Sequence, residues 1–191
     1  SKYTYGYSKH SFPFSPALFK NRIFNNRPSY GDLVVFKTPT DNRTDYIKRL
    51  IGFPGDEIQF KDGDLYLNEI KVMKNKISNI NEVNCAGAIS EVNFYEESLN
   101  KKIKYKIVYN ERGSLLNSDI YKVPPKHYFF LGDNRDCSSD SRFLSSVGYV
   151  HENNLVGKAQ IVFFSNDTKK SSLLKIWNWN KSIRKDRFFK K

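Results

Sequence analysis

The chain has 191 residues, with 32 Lys and Arg against 20 Asp and Glu and a formal net charge of +12. That length allows one medium domain or a core with a sizeable insertion, and no run of about 20 apolar residues offers a membrane-spanning helix. The basic excess suits an anionic membrane surface, nucleic acid, or a lysine-rich surface that keeps the fold soluble.

Aromatic residues make up 15% of the chain, with 15 Phe and 12 Tyr. They stand in short runs with β-branched residues between Gly, Pro, Asn and Asp, a pattern that predicts a mainly β protein. Residues 1–29, punctuated by Pro13, Pro16 and Pro28, read as an extended lead-in. Gly31-Asp32 then turns into Leu33-Val34-Val35-Phe36, a continuous apolar run that predicts a strand buried on both faces. Tyr46-Ile47-Lys48-Arg49-Leu50-Ile51 predicts the next strand, with Tyr46, Lys48 and Leu50 on one face and Ile47, Arg49 and Ile51 on the other. Pro54-Gly55 closes it with a type II turn.

Glu57-Ile58-Gln59-Phe60 and Leu65-Tyr66-Leu67, joined through Lys61-Asp62-Gly63-Asp64, predict a hairpin. Residues 68–120 are more polar and carry no compact cluster of reactive groups. Within them Lys102-Ile103-Lys104-Tyr105-Lys106-Ile107 alternates as a strand with one wet face. Val123-Pro124-Pro125 leads back to a core strand at Tyr128-Phe129-Phe130-Leu131, and 155–159 and 161–164 suggest further core strand. The tail interleaves Trp177, Trp179, Phe188 and Phe189 with basic residues, which suits either a membrane interface or a frayed basic end.

The densest chemistry follows the 128–131 run: Gly132-Asp133-Asn134-Arg135-Asp136-Cys137-Ser138-Ser139-Asp140-Ser141-Arg142. Such a segment beside a buried strand demands that its charges pair and its hydroxyls find partners. Lys48 is the second focus. An amine acts as a base only when neutral, and apolar surroundings lower a lysine's pKa toward that state. A neutral lysine can deprotonate a serine, as in Ser-Lys catalysis; a strand lysine can equally extend its amine to water. Cys85 and Cys137 lack metal-ligand spacing, and their pairing is not legible. His10, His127 and His151 are scattered, and no metal site is expected.

Three stretches together resemble the successive boxes of bacterial type I signal peptidases. They are residues 30–36 (Tyr-Gly-Asp-Leu-Val-Val-Phe), residues 45–56 (Asp-Tyr-Ile-Lys-Arg-Leu-Ile-Gly-Phe-Pro-Gly-Asp) and the 132–142 motif. Lys2-Tyr3-Thr4-Tyr5-Gly6 resembles the segment that precedes these boxes, and 147–150 with 155–159 the stretch that follows them. Only about 68–120 falls outside the likeness.

The resemblance implies a membrane-anchored serine endopeptidase that removes signal peptides from exported preproteins after small residues at positions −1 and −3. It implies Lys48 as general base, Ser138 as the hydroxyl that positions its amine, and Tyr46 and Ile47 beside the substrate cleft. Arg49, Asp133, Asp140 and Arg142 would form ion pairs that hold the site rigid. The fold implied is an antiparallel, barrel-like β core from 1–59 and 123–191, with a second β subdomain inserted at 60–122. No cofactor is implied. The partners would be preprotein signal peptides and an anionic membrane surface, without nucleic acid. The location would be the outer face of the bacterial cytoplasmic membrane.

Two departures stand out. The family's nucleophilic serine lies in a Ser-Met-x-Pro-Thr-like box, and no serine of this chain has that context; Ser11 and Ser15 have proline at the wrong spacing. With Ser1 first and Met73 the single methionine, the chain is read as a fragment lacking the anchor and the nucleophile box, and inactive as it stands. His151 stands where proline is usual. Rival readings are a self-cleaving repressor with a Ser-Lys dyad, a class that does not use the 132–142 pattern, and an inactive basic binding module for nucleic acid or anionic lipid, which no helix-turn-helix, RNA-recognition or zinc-finger pattern supports.

Overall fold

The computed structural model describes residues 4–5, 26–85, 88–100, 102–109 and 116–160, with backbone alone at 78–85 and 88–90. The chain divides into a unit spanning Lys2–Lys158 and a second made of Ala159–Lys191 with Ser1. Of the second, residues 159 and 160 are described, so the 161–164 strand and the aromatic-basic tail lie outside the described residues, as does His10.

The first unit is built from antiparallel β-sheets. A five-stranded sheet has the order β11-β10-β2-β1-β12, made of β1 (Leu33–Lys37), β2 (Asp45–Gly52), β10 (His127–Leu131), β11 (Val150–His151) and β12 (Leu155–Lys158). A four-stranded sheet joins β5 (Ile70–Lys71), β4 (Asp64–Leu67), β3 (Glu57–Lys61) and β9 (Tyr121–Lys122) in that order. A three-stranded sheet runs β6 (Met73–Cys85), β7 (Ala88–Leu99) and β8 (Ile103–Tyr109). The five-stranded sheet does not close into a barrel among the described residues, because its edge strands β11 and β12 do not pair with each other.

The β1 strand departs from the expectation of burial on both faces. Val34 and Phe36 are buried, but Leu33, Val35 and Lys37 are half-buried, because that face is only partly covered. By contrast β10 is buried at four consecutive positions, Tyr128 to Leu131, so its apolar run carries no alternation. The β3–β4 turn pairs Lys61 with Asp64 around Asp62 and Gly63, both at positive φ (50° and 75°), the geometry of a type I′ hairpin. At Pro54-Gly55, Asp56 N–H donates to the Phe53 carbonyl at 2.9 Å and Gly55 takes φ 92°, as a type II turn requires.

Two apolar clusters flank the five-stranded sheet. Val34, Phe36, Leu50 and Phe130 belong to one, with Tyr5, Val147 and Leu155. Ile51, Phe129 and Leu131 join Ile58, Phe60, Leu65, Tyr95, Leu99 and Ile107 in the other, which also draws on the remaining two sheets. Adjacent residues on one strand thus feed opposite cores, as pleating dictates.

Candidate active site

The site forms where β10 stops covering β2. Leu131 stands opposite Arg49 in the β10–β2 ladder, so Gly132 leaves the sheet beside Lys48. Residues 45–48 pair with β1 on one side and have no strand partner on the other among the described residues. The 132–142 segment fills part of that space and brings Ser138 back onto β2.

Lys48 Nζ donates to Ser138 Oγ at 2.8 Å across a sequence separation of 90 residues. The amine also lies 5.3 Å from the centre of the Tyr46 ring. Burial lowers the Lys48 pKa from its ordinary 10.5, opposed by the Asp140 carboxylate, aided by the Arg142 guanidinium and opposed again by Asp133. Removal from water therefore outweighs the nearby carboxylates and favours a neutral amine. Ile47, on the other face of the strand, is 57% exposed.

Gly132 makes the Lys48–Ser138 contact possible. A β-carbon at Gly132 would stand 2.0 Å from Ser138 Oγ, 2.4 Å from Ser138 Cβ and 3.5 Å from Lys48 Nζ. No side chain fits there, so this glycine serves close approach rather than turn geometry.

Two ion pairs frame the contact. Arg49 grips Asp133 through Nε and Nη2, both at 2.7 Å, and donates from Nη1 to the Gly31 carbonyl at 2.7 Å. Arg142 grips Asp140 through Nε at 2.8 Å and Nη2 at 2.9 Å, with Asp140 fully buried. Asp140 Oδ2 also accepts from Gly132 N–H at 2.9 Å, tying the second pair to the start of the loop. Ser141 closes it: its N–H donates to the Phe130 carbonyl at 3.0 Å, and its Oγ accepts from Phe130 N–H at 2.9 Å.

A third pair escaped the sequence reading. Arg135 and Glu97 form a two-pronged, fully buried ion pair, and Arg135's carbonyl accepts from Arg142 Nη2. Glu97 lies on β7, inside the segment read as lacking reactive clusters. The signal was present: Tyr95, Glu97 and Leu99 alternate as the buried positions of β7, and a charge on an apolar face needs a partner. Cys137, beside Ser138, is disulfide-bonded; the chain's other cysteine is Cys85, at the end of β6. Among the described residues no group of three or more His, Cys, Asp or Glu is arranged to hold a metal ion.

Residues 2–164 match the family model described as signal peptidase, peptidase S26. The chain belongs to the signal peptidase family. Signal peptidase I of Rickettsia conorii is 41% identical over the whole chain, which spans 76% of that relative. Signal peptidase I of Rickettsia akari is 40% identical with the same coverage. A crystal structure of a signal peptidase I from Enterococcus faecalis is similar over 70% of this chain and 97% of its own, at 26% identity and a TM-score of 0.42. Within the signal peptidase family, then, this chain sets a half-buried lysine against a serine hydroxyl inside a frame of ion pairs. No helix among the described residues is long and apolar enough to cross a membrane.

Proposed function

We propose that this chain is the catalytic part of a type I signal peptidase, a serine endopeptidase that cuts signal peptides from exported preproteins after small residues. The observation that carries the reading is the half-buried Lys48 amine, lowered in pKa by burial and held at 2.8 Å by Ser138 Oγ. Lys48 is the general base and Ser138 the hydroxyl that aims it. Arg49–Asp133 and Arg142–Asp140 brace the site. Tyr46 and Ile47 flank the cleft, where the edge of 45–48, without a strand partner among the described residues, offers backbone groups to an extended peptide.

The attacking serine in this reading comes from outside residues 1–191, because no serine here stands in the family's nucleophile box and Ser138 is engaged in positioning. Its Oγ attacks the scissile carbonyl carbon while its proton passes to Lys48 Nζ. The C–N bond then breaks, the Lys48 ammonium returns the proton to the leaving amine, and an acyl-enzyme remains. Water, giving a proton to Lys48, attacks the ester; the serine leaves with that proton and Lys48 is neutral again. This route draws on no cofactor. The same reading divides the chain into a core of 1–59 and 123–191 and an inserted 60–122. It places the site on the outer face of the bacterial cytoplasmic membrane, where the basic surface meets anionic lipid.

Titration of the lysine amines by NMR tests the base in this chain directly. Lys48, assigned by its loss in Lys48→Ala, is expected to titrate below the other lysines. In the enzyme carrying its nucleophile, Lys48→Ala is expected to abolish preprotein processing. Ordinary titration of Lys48, or processing by Lys48→Ala at the wild-type rate, would overturn the assignment.

A further inference from the structure

The catalytic reading gives residues 68–120 no task, yet two strands of that segment are fastened to the loop that carries Ser138. Val108, on β8, donates its N–H to the Asp133 carbonyl at 2.8 Å and accepts from Arg135 N–H at 2.9 Å. These bonds make a short parallel bridge opposite Asn134. The side chain of Arg135 then passes inward to Glu97 on β7, with Nη1 at 2.8 Å from Oε1. Tyr105, from β8, donates its hydroxyl to Glu97 Oε2 at 2.9 Å. The Tyr105 ring in turn lies under Arg49, whose guanidinium carbon is 4.3 Å from the ring centre.

Two connected paths run from Glu97 to the catalytic pair. One goes through Arg135, whose carbonyl binds Arg142, to Asp140 and then to Gly132 N–H beside Ser138. The other goes through Tyr105 to Arg49, the residue next to Lys48 on β2. Glu97 and Arg135 show side-chain exposures of 2% and 4%. Burial opposes the Arg135 charge, and the Glu97 carboxylate offsets this and leaves its pKa above the ordinary value. A buried ion pair is weak as a source of stability, since apolar residues of similar volume often serve as well. Its geometry is demanding, however, and demanding geometry suits positioning.

We propose that Glu97 is a positioning residue for the Lys48–Ser138 pair, acting through Arg135 and Tyr105 to hold the 132–142 loop against β2. The proposal rests on Lys48 being the base. Glu97 itself does not act on the amine: the charges that do are Asp140, Arg142 and Asp133, all from the loop. Loosening the loop admits water to Lys48 and relieves the burial that lowers its pKa.

The test is the Lys48 titration, followed by NMR alongside thermal unfolding, in wild type, Glu97→Gln and Tyr105→Phe. Glu97→Gln keeps the shape but leaves Arg135 charged without its partner; should it not fold, Tyr105→Phe carries the test. That variant removes one donor to Glu97 and keeps the ring under Arg49. The expected result is an upward shift of the Lys48 titration toward the ordinary lysine value in each folded variant, larger in Glu97→Gln. A lowered wild-type Lys48 that stays unmoved in the folded variants, whatever their melting temperature, overturns the role of Glu97 alone. A wild-type Lys48 that titrates with the surface lysines overturns the base reading and this proposal together.

Discussion

Gly132 and Ser138 are packed so closely that the α-carbon of one leaves no room for a side chain beside the hydroxyl of the other. A β-carbon at Gly132 would fall 2.0 Å from Ser138 Oγ. Gly132→Ala is therefore expected to displace Ser138 from Lys48 and to cost about 1–3 kcal/mol of stability through overpacking. On the proposed function, preprotein processing should fall about a hundredfold, since misplacing a catalytic group by about an ångström has that effect. A crystal structure of the variant with the Lys48–Ser138 contact intact would contradict this.

The ion pairs differ in burial and so in what their disruption does. The side chains of Asp140 and Arg142 are 0% and 4% exposed. Asp140→Ala strands a buried guanidinium and is expected to cost about 3–5 kcal/mol. The Lys122–Glu57 pair, with Lys122 at 74% exposure, stands at the other extreme; Glu57→Ala should stay within about 1 kcal/mol. Asp133→Ala should fall between, because Asp133 reaches solvent. Urea denaturation of the three variants gives the order, and a Glu57 effect equal to that of Asp140 would refute it.

Lys48 also links folding to pH, with a definite sign. Its pKa is lower in the folded chain than the ordinary 10.5 of an exposed lysine. Between the lowered value and 10.5 the unfolded chain holds a proton there that the folded chain lacks, so stability rises with pH. Below the lowered value the contribution is lost; above 10.5 it is complete. Wild type should gain stability relative to Lys48→Met as pH climbs through that window. Urea midpoints for both chains at stepped pH values measure the difference, and a flat difference would exclude a lowered Lys48.

Two turn glycines separate backbone strain from crowding. Gly55 sits at φ 92° with nothing within 4 Å of an added β-carbon. Gly55→Ala should cost about 1–2 kcal/mol, the penalty of left-handed backbone alone. Gly63, at φ 75°, would bring a β-carbon to 2.3 Å from the Tyr109 hydroxyl. Gly63→Ala should therefore lower the melting temperature further than Gly55→Ala, and equal losses would show that Tyr109 yields freely.

Much of the strand content was legible because alternation and turn chemistry are local. β2, the β3–β4 hairpin and β8 follow from residue spacing and from Pro-Gly or Asp-Gly pairs. The order of strands was not legible, because pairing joins elements remote in sequence and each strand offers similar edges. Register within β2 was also hidden: Phe129 faces Gly52 while Phe130 faces Leu50, so the ladder shifts at Ile51. At the site, Lys48 and the 132–142 motif were visible as unusual chemistry in an apolar setting. That Arg49 meets Asp133 depends on tertiary approach across 84 residues, which no spacing rule supplies. Glu97 is masked in sequence by its polar neighbours Glu96 and Ser98, although it shares the buried face of β7 with Tyr95 and Leu99.

The two hydrogen bonds between Ser141 and Phe130 make the segment between them a closed ring of fixed circumference, fastened to the strand it departs from. Its contour is measured out by that clasp and by Gly132 together. Substitution can alter the lining of such a ring, but adding or removing a residue between positions 132 and 141 changes its perimeter, and then either the clasp opens or Ser138 leaves the lysine. Length, more than composition, is the quantity this part of the chain has least freedom to vary.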